Sequence, residues 1–471
     1  MQFTETEIVV AGAGPGGYAA AFYAADKGKK VILVEQESRL GGVCLNRGCI
    51  PSKALLQATG LIRESQEATH QGISFDPPRI SIDQMRAWKD SILQKLGQGI
   101  SGLAKQRGVE VWLGRGHFED SQTLRVETPE GQKFIRYQQA VVAVGSKPAM
   151  PKVFDLGNPR IMTSDEALEI EDVPENLLIV GGGYIGMELG TVYAALGSKV
   201  VLVEAADTIL AAADQDLIQP VLRQARKNFK ELRAKTKVQN MATKGKTIQV
   251  TMEVEGESRV EHYDKVLISI GRVPRAEDLG LENTRVELDA KGYIKVDPQQ
   301  RTADPRIYAI GDIVGGAMLA HKAAKEARIA IEVITGESSA FKDIVMPAVV
   351  FTNPEIAWCG LTESEAKSKG LDFKVSRFPW TASGRALCFQ RPDGITKLIV
   401  DPESERILGV GICGHHAGDM ISEGVLAIEM GATAKDLAES VHPHPTLSET
   451  IMECAEAYYG FSTHAYSKRY L

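Results

Sequence analysis

A duplication constrains this chain more than any other feature. EIVVAGAGPGGYAAA, residues 7–21, reads as an apolar strand, a glycine turn and an alanine-rich helix, and LLIVGGGYIGMELGTVYAALG, 177–197, reads the same way. Gly12, Gly14 and Gly17 of the first copy correspond to Gly181, Gly183 and Gly186 of the second. Each copy runs on to a second apolar strand ending in an acid, VILVE at Glu35 and VVLVE at Glu204, 23 positions after the first glycine in both. The glycines let the backbone approach a pyrophosphate, the helix N-terminus favours its charge, and the carboxylate accepts hydrogen bonds from ribose hydroxyls. One such turn is a weak signal. Two, each with its acid in place, predict an α/β protein with two Rossmann-like dinucleotide-binding units.

Each unit closes with an apolar strand running into glycine, AVVAVGSKP at 140–148 and KVLISIGRVP at 265–274. This spacing predicts one nucleotide domain over 1–150 and a second over 151–271. The strand–glycine–helix pattern of YAIGDIVGGAMLAHKAAKEARIAIEVITG, 308–336, predicts that 272–345 returns to the first domain. Residues 346–471 alternate short strands with helices and predict a third, α+β domain. The 471 residues are long enough for this division. A formal charge of −7 gives no electrostatic case for nucleic acid, and no apolar run reaches the length of a membrane span. The N-terminus shows neither a signal-peptide pattern nor a transit peptide, so a cytoplasmic protein is expected.

Two nucleotide units in one chain suggest two nucleotides face to face, and a flavin with a nicotinamide is the pair that moves electrons between them. Glu204 suits a free ribose 2′-hydroxyl, and EAADTILAAADQDLI, 204–218, contains no basic residue to hold a 2′-phosphate. NAD is favoured over NADP.

Within the longer first unit lies GGVCLNRGCIPSK, 41–53. In a regular helix, residues five apart sit about 8–9 Å from each other, whereas a disulfide needs Cα atoms about 4.4–6.8 Å apart. Cys44 and Cys49 can therefore bridge only where the helix is distorted or has not begun, and Gly48 and Pro51 permit that. A helix following Cys49 would stabilise its thiolate and make the two sulfurs unequal. Two reduced core thiols or half a metal site are the bland alternatives, but no second cysteine pair or spaced histidine pair stands nearby, and no metal is expected. Cys359, Cys388, Cys413 and Cys454 are isolated and read as packing residues. A dithiol centre needs a base, and HPHPTLSET, 442–450, offers His444 with Glu449 to orient it; His442 competes for the role.

These motifs together resemble the pyridine nucleotide–disulfide oxidoreductase family, over nearly the full length and in the family's order. The resemblance implies FAD in the first domain, NAD in the second and a C-terminal dimerisation domain. It implies that Cys44 exchanges with the substrate, that Cys49 faces the flavin, and that His444, oriented by Glu449, is the acid/base contributed by the other subunit of a homodimer. Lys53 would reach the flavin and pair with Glu188, a residue of the second fingerprint grouped with the nicotinamide side. Gly116, Gly311, Asp312 and Ala320 would line FAD, while Val238 and Gly271 would line NAD beside Glu204. The branch resembled oxidises dihydrolipoamide carried on lipoyl-bearing proteins of 2-oxoacid dehydrogenase or glycine cleavage complexes. A glutathione-reductase-like enzyme using NADPH and a mainly docking subunit are the alternatives. Two departures are Arg47, where a small or apolar residue is usual, and Tyr184 inside the second glycine turn. The closing HAYSKRYL carries no cysteine pair, which argues against a relative of the mercuric-reductase type.

Overall fold

The computed structural model describes residues 3–466; the end of HAYSKRYL, from residue 467, lies outside them. The first sheet places Glu110–Leu113, Val31–Glu35, Phe3–Ala11 and Gly131–Val142 side by side and parallel, with Ile307–Ala309 added beyond Gly131–Val142. The second repeats the plan with Glu231–Arg233, Lys199–Val203, Asn176–Val180 and Lys265–Ile268, and adds Ile161–Met162 at the same edge. Both added strands occupy the same place by different routes. Ile161–Met162 precedes its sheet in sequence, whereas Ile307–Ala309 returns to the first sheet after the second is complete.

Both units carry an antiparallel meander between acid strand and closing strand. In the first, Arg115–Asp120 and Thr123–Thr128 pair in succession onto the N-terminal half of Gly131–Val142, so one long strand serves meander and parallel sheet together. In the second, Thr236–Lys244, Thr247–Val254 and Glu257–Tyr263 form a separate sheet. The tails beyond the two closing strands pair with each other, Ser146–Pro148 against Arg272–Pro274, and so join the units by backbone hydrogen bonds.

The alanines of the helix Pro15–Asp26 have a packing reason. Ala20, Ala21 and Ala24 are fully buried in one cluster with Ala327 and Ala330 of the helix Ala320–Ile334, where short side chains let two helices approach closely. The C-terminal part is an antiparallel sheet in the order Ala348–Val350, Glu355–Gly360, Ile407–Gly414, Ile395–Val400, Lys374–Pro379, covered by helices including Ala417–Glu429 and Glu449–Tyr459. Cys359, Cys413 and Cys454 are buried in it, while Cys388 is exposed. Among the described residues no helix is long and apolar enough to cross a membrane.

Candidate active site

The two fingerprints fold alike. Gly12 and Gly181 adopt left-handed backbone, at φ +100° and +112°. A Cβ on Gly17 would lie 1.8 Å from the carbonyl oxygen of Gly12, and one on Gly186 would lie 2.2 Å from that of Gly181, so the third glycine is where helix and strand touch. Glu35 accepts from the backbone N–H of Ala13 (2.8 Å) and Glu37 (3.0 Å). Glu204 accepts from Gly182 (2.7 Å) and Ala206 (2.8 Å), the equivalent positions. Each acid is thus held at the strand end by its own loop. Both following helices, Pro15–Asp26 and Tyr184–Ala195, begin at an N-cap glycine that offers no side-chain acceptor. Their first-turn amides remain free to meet an anion.

A cavity of about 540 Å³, within the size range of cofactor sites, runs along the first unit and reaches the second-unit helix that carries Tyr184 and Glu188. Gly12, Gly14, Glu35, Gly116, Gly311, Asp312 and Ala320 line it, and Cys44, Cys49 and Lys53 stand on the same wall. Gly17 does not; it packs behind. Glycine backbone, uncapped helix amides and a ribose-seeking carboxylate in one elongated cavity fit a dinucleotide such as FAD.

The cysteine segment is broken where the disulfide distance requires a break. One helix runs Gly42–Arg47, the next Cys49–Glu67, and Gly48 between them has φ −149° and ψ −110°, outside helical geometry. The break brings the sulfurs into hydrogen-bond contact, both as free thiols. They are unequal. The hydrogen bond from Cys44, aided by Lys53, brings Cys49 down to about 7 against the opposing effect of burial. Cys44 is pushed up by the same contact and by burial. Lys53 Nζ donates to Glu188 Oε2 at 2.8 Å, Ser52 Oγ donates to the same oxygen at 2.8 Å, and Phe351 N donates to Glu188 Oε1 at 3.0 Å. Glu188, on the helix of the second fingerprint, also lines this cavity, its carboxylate held by Ser52, Lys53 and Phe351. The side chain of Val238 packs with Val180, Val203 and Ile268 in the core of the second unit.

His444 Nδ1 and Glu449 Oε1 are 2.8 Å apart, and Glu449 Oε2 accepts from the N–H of Thr446 at 2.7 Å, which fixes the carboxylate at the head of the helix Glu449–Tyr459. His442 is differently placed. Its Nδ1 donates to the carbonyl of Ser440 (2.8 Å) and its Nε2 to Glu423 (2.7 Å), so the ring is held as a double donor and keeps no lone pair with which to act as a base. The contact with Glu423 accordingly raises its pKa. The His444 side chain is 70% exposed and is not part of the wall that holds Cys44 and Cys49.

Arg47 and Tyr184 both line the cavity. Arg47 donates to Glu37 of its own unit (3.3 Å) and lies 3.7 Å from Asp165, on the segment entering the second. Arg272, next to Gly271, donates to Ser146 Oγ at 2.8 Å, and Ser146 donates to Asp312. This cross-unit network was missed in the sequence. Its only signal was that GSKP and GRVP end equivalent strands. Among the described residues one acidic cluster, Asp214, Asp216 and Glu363, is tight enough for a cation, and the ammonium of Lys397 fills it at 2.6–3.0 Å.

Residues 6–327 match the family model of the pyridine nucleotide-disulphide oxidoreductases, and residues 346–455 match the dimerisation domain of the same family. The chain belongs to that family. Pyridine nucleotide-disulphide oxidoreductases of this kind use FAD and NAD(H), and this chain does so as a flavoprotein oxidoreductase. It is 46% identical over 460 residues to the dihydrolipoyl dehydrogenase of Haemophilus influenzae, covering 98% of this chain and 96% of that one. With the dihydrolipoyl dehydrogenase of Geobacillus stearothermophilus it shares 42% over 464 residues, 98% of each chain. Similar solved structures include LpdA from Mycobacterium tuberculosis, with a TM-score of 0.89, 28% identity and 96% and 99% coverage. Another is the HOCl-induced flavoprotein disulfide reductase RclA from Escherichia coli in its Cu(II) complex, at 0.87, 26% and the same coverage.

Proposed function

We propose that this protein oxidises dihydrolipoamide borne on lipoyl proteins of 2-oxoacid dehydrogenase or glycine cleavage complexes, reducing NAD⁺, as a homodimer in the cytoplasm. The observation that carries the reading is the unequal thiol pair, Cys44 raised and Cys49 lowered, on the wall of a dinucleotide cavity. Full-length likeness to dihydrolipoyl dehydrogenases supports the substrate.

In the oxidised enzyme Cys44 and Cys49 form a disulfide. His444, its Nδ1 held by Glu449, takes a proton from one substrate thiol through Nε2. The resulting thiolate attacks Cys44 Sγ, the Cys44–Cys49 bond breaks, and Cys49 leaves as the thiolate its surroundings favour. The second substrate thiol then attacks the substrate sulfur of the mixed disulfide, and its proton passes to the departing Cys44 sulfur. Lipoamide departs with its ring disulfide closed, leaving Cys44 as a thiol, Cys49 as a thiolate and the first proton on His444, which returns it to solvent. Bound FAD supplies the two-electron path from the dithiol to NAD⁺. Lys53, paired with Glu188, keeps positive charge beside Cys49, and Glu204 selects the unphosphorylated ribose.

His444 stands apart from the cysteine wall and is open to solvent, which supports its delivery to the site of a second copy. The dimerisation segment also exposes apolar side chains such as Met430 (76%) and Val441 (97%), a surface suited to burial against that copy. The test is NADH formation from dihydrolipoamide. Turnover should proceed with NAD⁺ and disappear in Cys44→Ser. Faster turnover of glutathione disulfide with NADPH would overturn the substrate and cofactor reading, and a dimer without thiol-dependent turnover would point to a docking subunit.

A further inference from the structure

The turn that carries Gly311 and Asp312 is poor at holding itself. Gly311, Gly315 and Gly316 all have left-handed backbone, at φ +79°, +78° and +71°, and the short 3-10 turn Gly311–Val314 has no side-chain cap. Such a segment loses much conformational entropy on ordering and needs an external brace. The brace comes from the second turn of the helix Ala320–Ile334. Glu326 is 3% exposed, and its Oε2 accepts the N–H of Gly311 at 2.7 Å. Its Oε1 meets the ammonium of Lys322, one helical turn earlier and also buried.

Each residue breaks a local rule on its own. Lys322 places a buried cation in the first turn of a helix, where the dipole opposes positive charge. Glu326 is a buried carboxylate, and burial raises its pKa against the effect of Lys322. Together they cancel, and what remains is one strong acceptor aimed at Gly311. The cavity wall is affected directly, because Gly311, Asp312, Ala320 and Ala323 all face it.

We propose that Glu326, neutralised by Lys322, is the positioning residue that seats the Gly311–Asp312 turn against FAD. The inference rests on FAD occupying this cavity. It is tested by paired variants that keep the site free of stranded charge. In K322M/E326Q the amide oxygen still accepts from Gly311; in K322M/E326L nothing does. Apoprotein of each is titrated with FAD, following flavin fluorescence, and the thermal midpoint of each apoprotein is recorded so that loss of fold is separated from loss of the seat. K322M/E326Q should bind FAD within about threefold of the parent, and K322M/E326L should bind about tenfold or more weakly, the scale of one buried amide left unpaired. Equal binding by K322M/E326L and the parent would overturn the proposal, as would equal weakening of both variants. A parent protein that takes up no FAD would instead refute the cavity assignment.

Discussion

Lys53 and Cys44 act on one atom, the sulfur of Cys49, and both favour its charged form. In protein reduced by dithiol, one site thiol should titrate near 7, below a free cysteine, by thiolate absorbance at 240 nm. Lys53→Met removes positive charge and should move that midpoint upward; an unchanged midpoint would show that the Cys44 contact alone is responsible. The histidines show how far residue types can be read from sequence. HPHPTLSET offered two imidazoles with no means to choose between them except spacing. The choice is made by acceptors at a distance: Glu423, 19 residues before His442, occupies Nε2 of that ring and removes it from competition.

At the scale of elements, the duplicated fingerprint was legible because its physics is local. Glycine at the third position is dictated by a contact within the same strand–turn–helix, so Gly186→Ala must push Cβ into the carbonyl of Gly181. That variant should keep FAD, with its cavity in the first unit intact, and raise KM for NAD⁺ at least tenfold; isothermal titration with NAD⁺ checks it. The break at Gly48 was also readable, from the conflict between helical spacing and disulfide distance. The three-stranded meander of the second unit was not. Thr247–Val254 buries alternate residues, but TMEVEGESRVEHYD is mostly polar, and Glu257–Tyr263 is nearly all solvent-facing. Pairing with Thr247–Val254 stabilises it, and pairing is not a property of a single segment.

At the scale of the whole molecule, the domains are locked by charges far apart in sequence. Lys397, 1% exposed on the C-terminal sheet, is surrounded by Asp214, Asp216 and Glu363. Burial pushes Asp216 up, but Lys397 and Arg377 outweigh it and hold its carboxyl below the usual range. A carboxyl lowered by folding contributes stability above its unfolded pKa and loses it on acidification, so this lock weakens as pH falls below about 4. Lys397→Met leaves buried Asp214 without its cation, while Arg377 still pairs with Asp216 and Glu363, and should cost about 3 kcal/mol at pH 7. Urea unfolding of the variant beside the parent checks it. If a second copy supplies His444, inactive Cys44→Ser and His444→Gln proteins complement each other. Unfolded and refolded together, they should regain roughly a quarter of parental activity, since half of random dimers are mixed and one of their two sites is intact. No recovery would mean that His444 serves its own chain.

What the sequence determined by itself were features written within some twenty-odd residues: two dinucleotide turns, the acid that ends each following strand, and a thiol pair whose spacing forbids a straight helix. These depend on backbone sterics and on short-range hydrogen bonds, which travel with the segment. Only the tertiary structure decided that Ser52 and Phe351 join Lys53 on the carboxylate of Glu188, that Arg47 and Arg272 connect the two units, and that Glu326 braces a turn fifteen residues earlier. Those assignments depend on which buried charge finds which partner, and a buried charge is settled by everything packed around it.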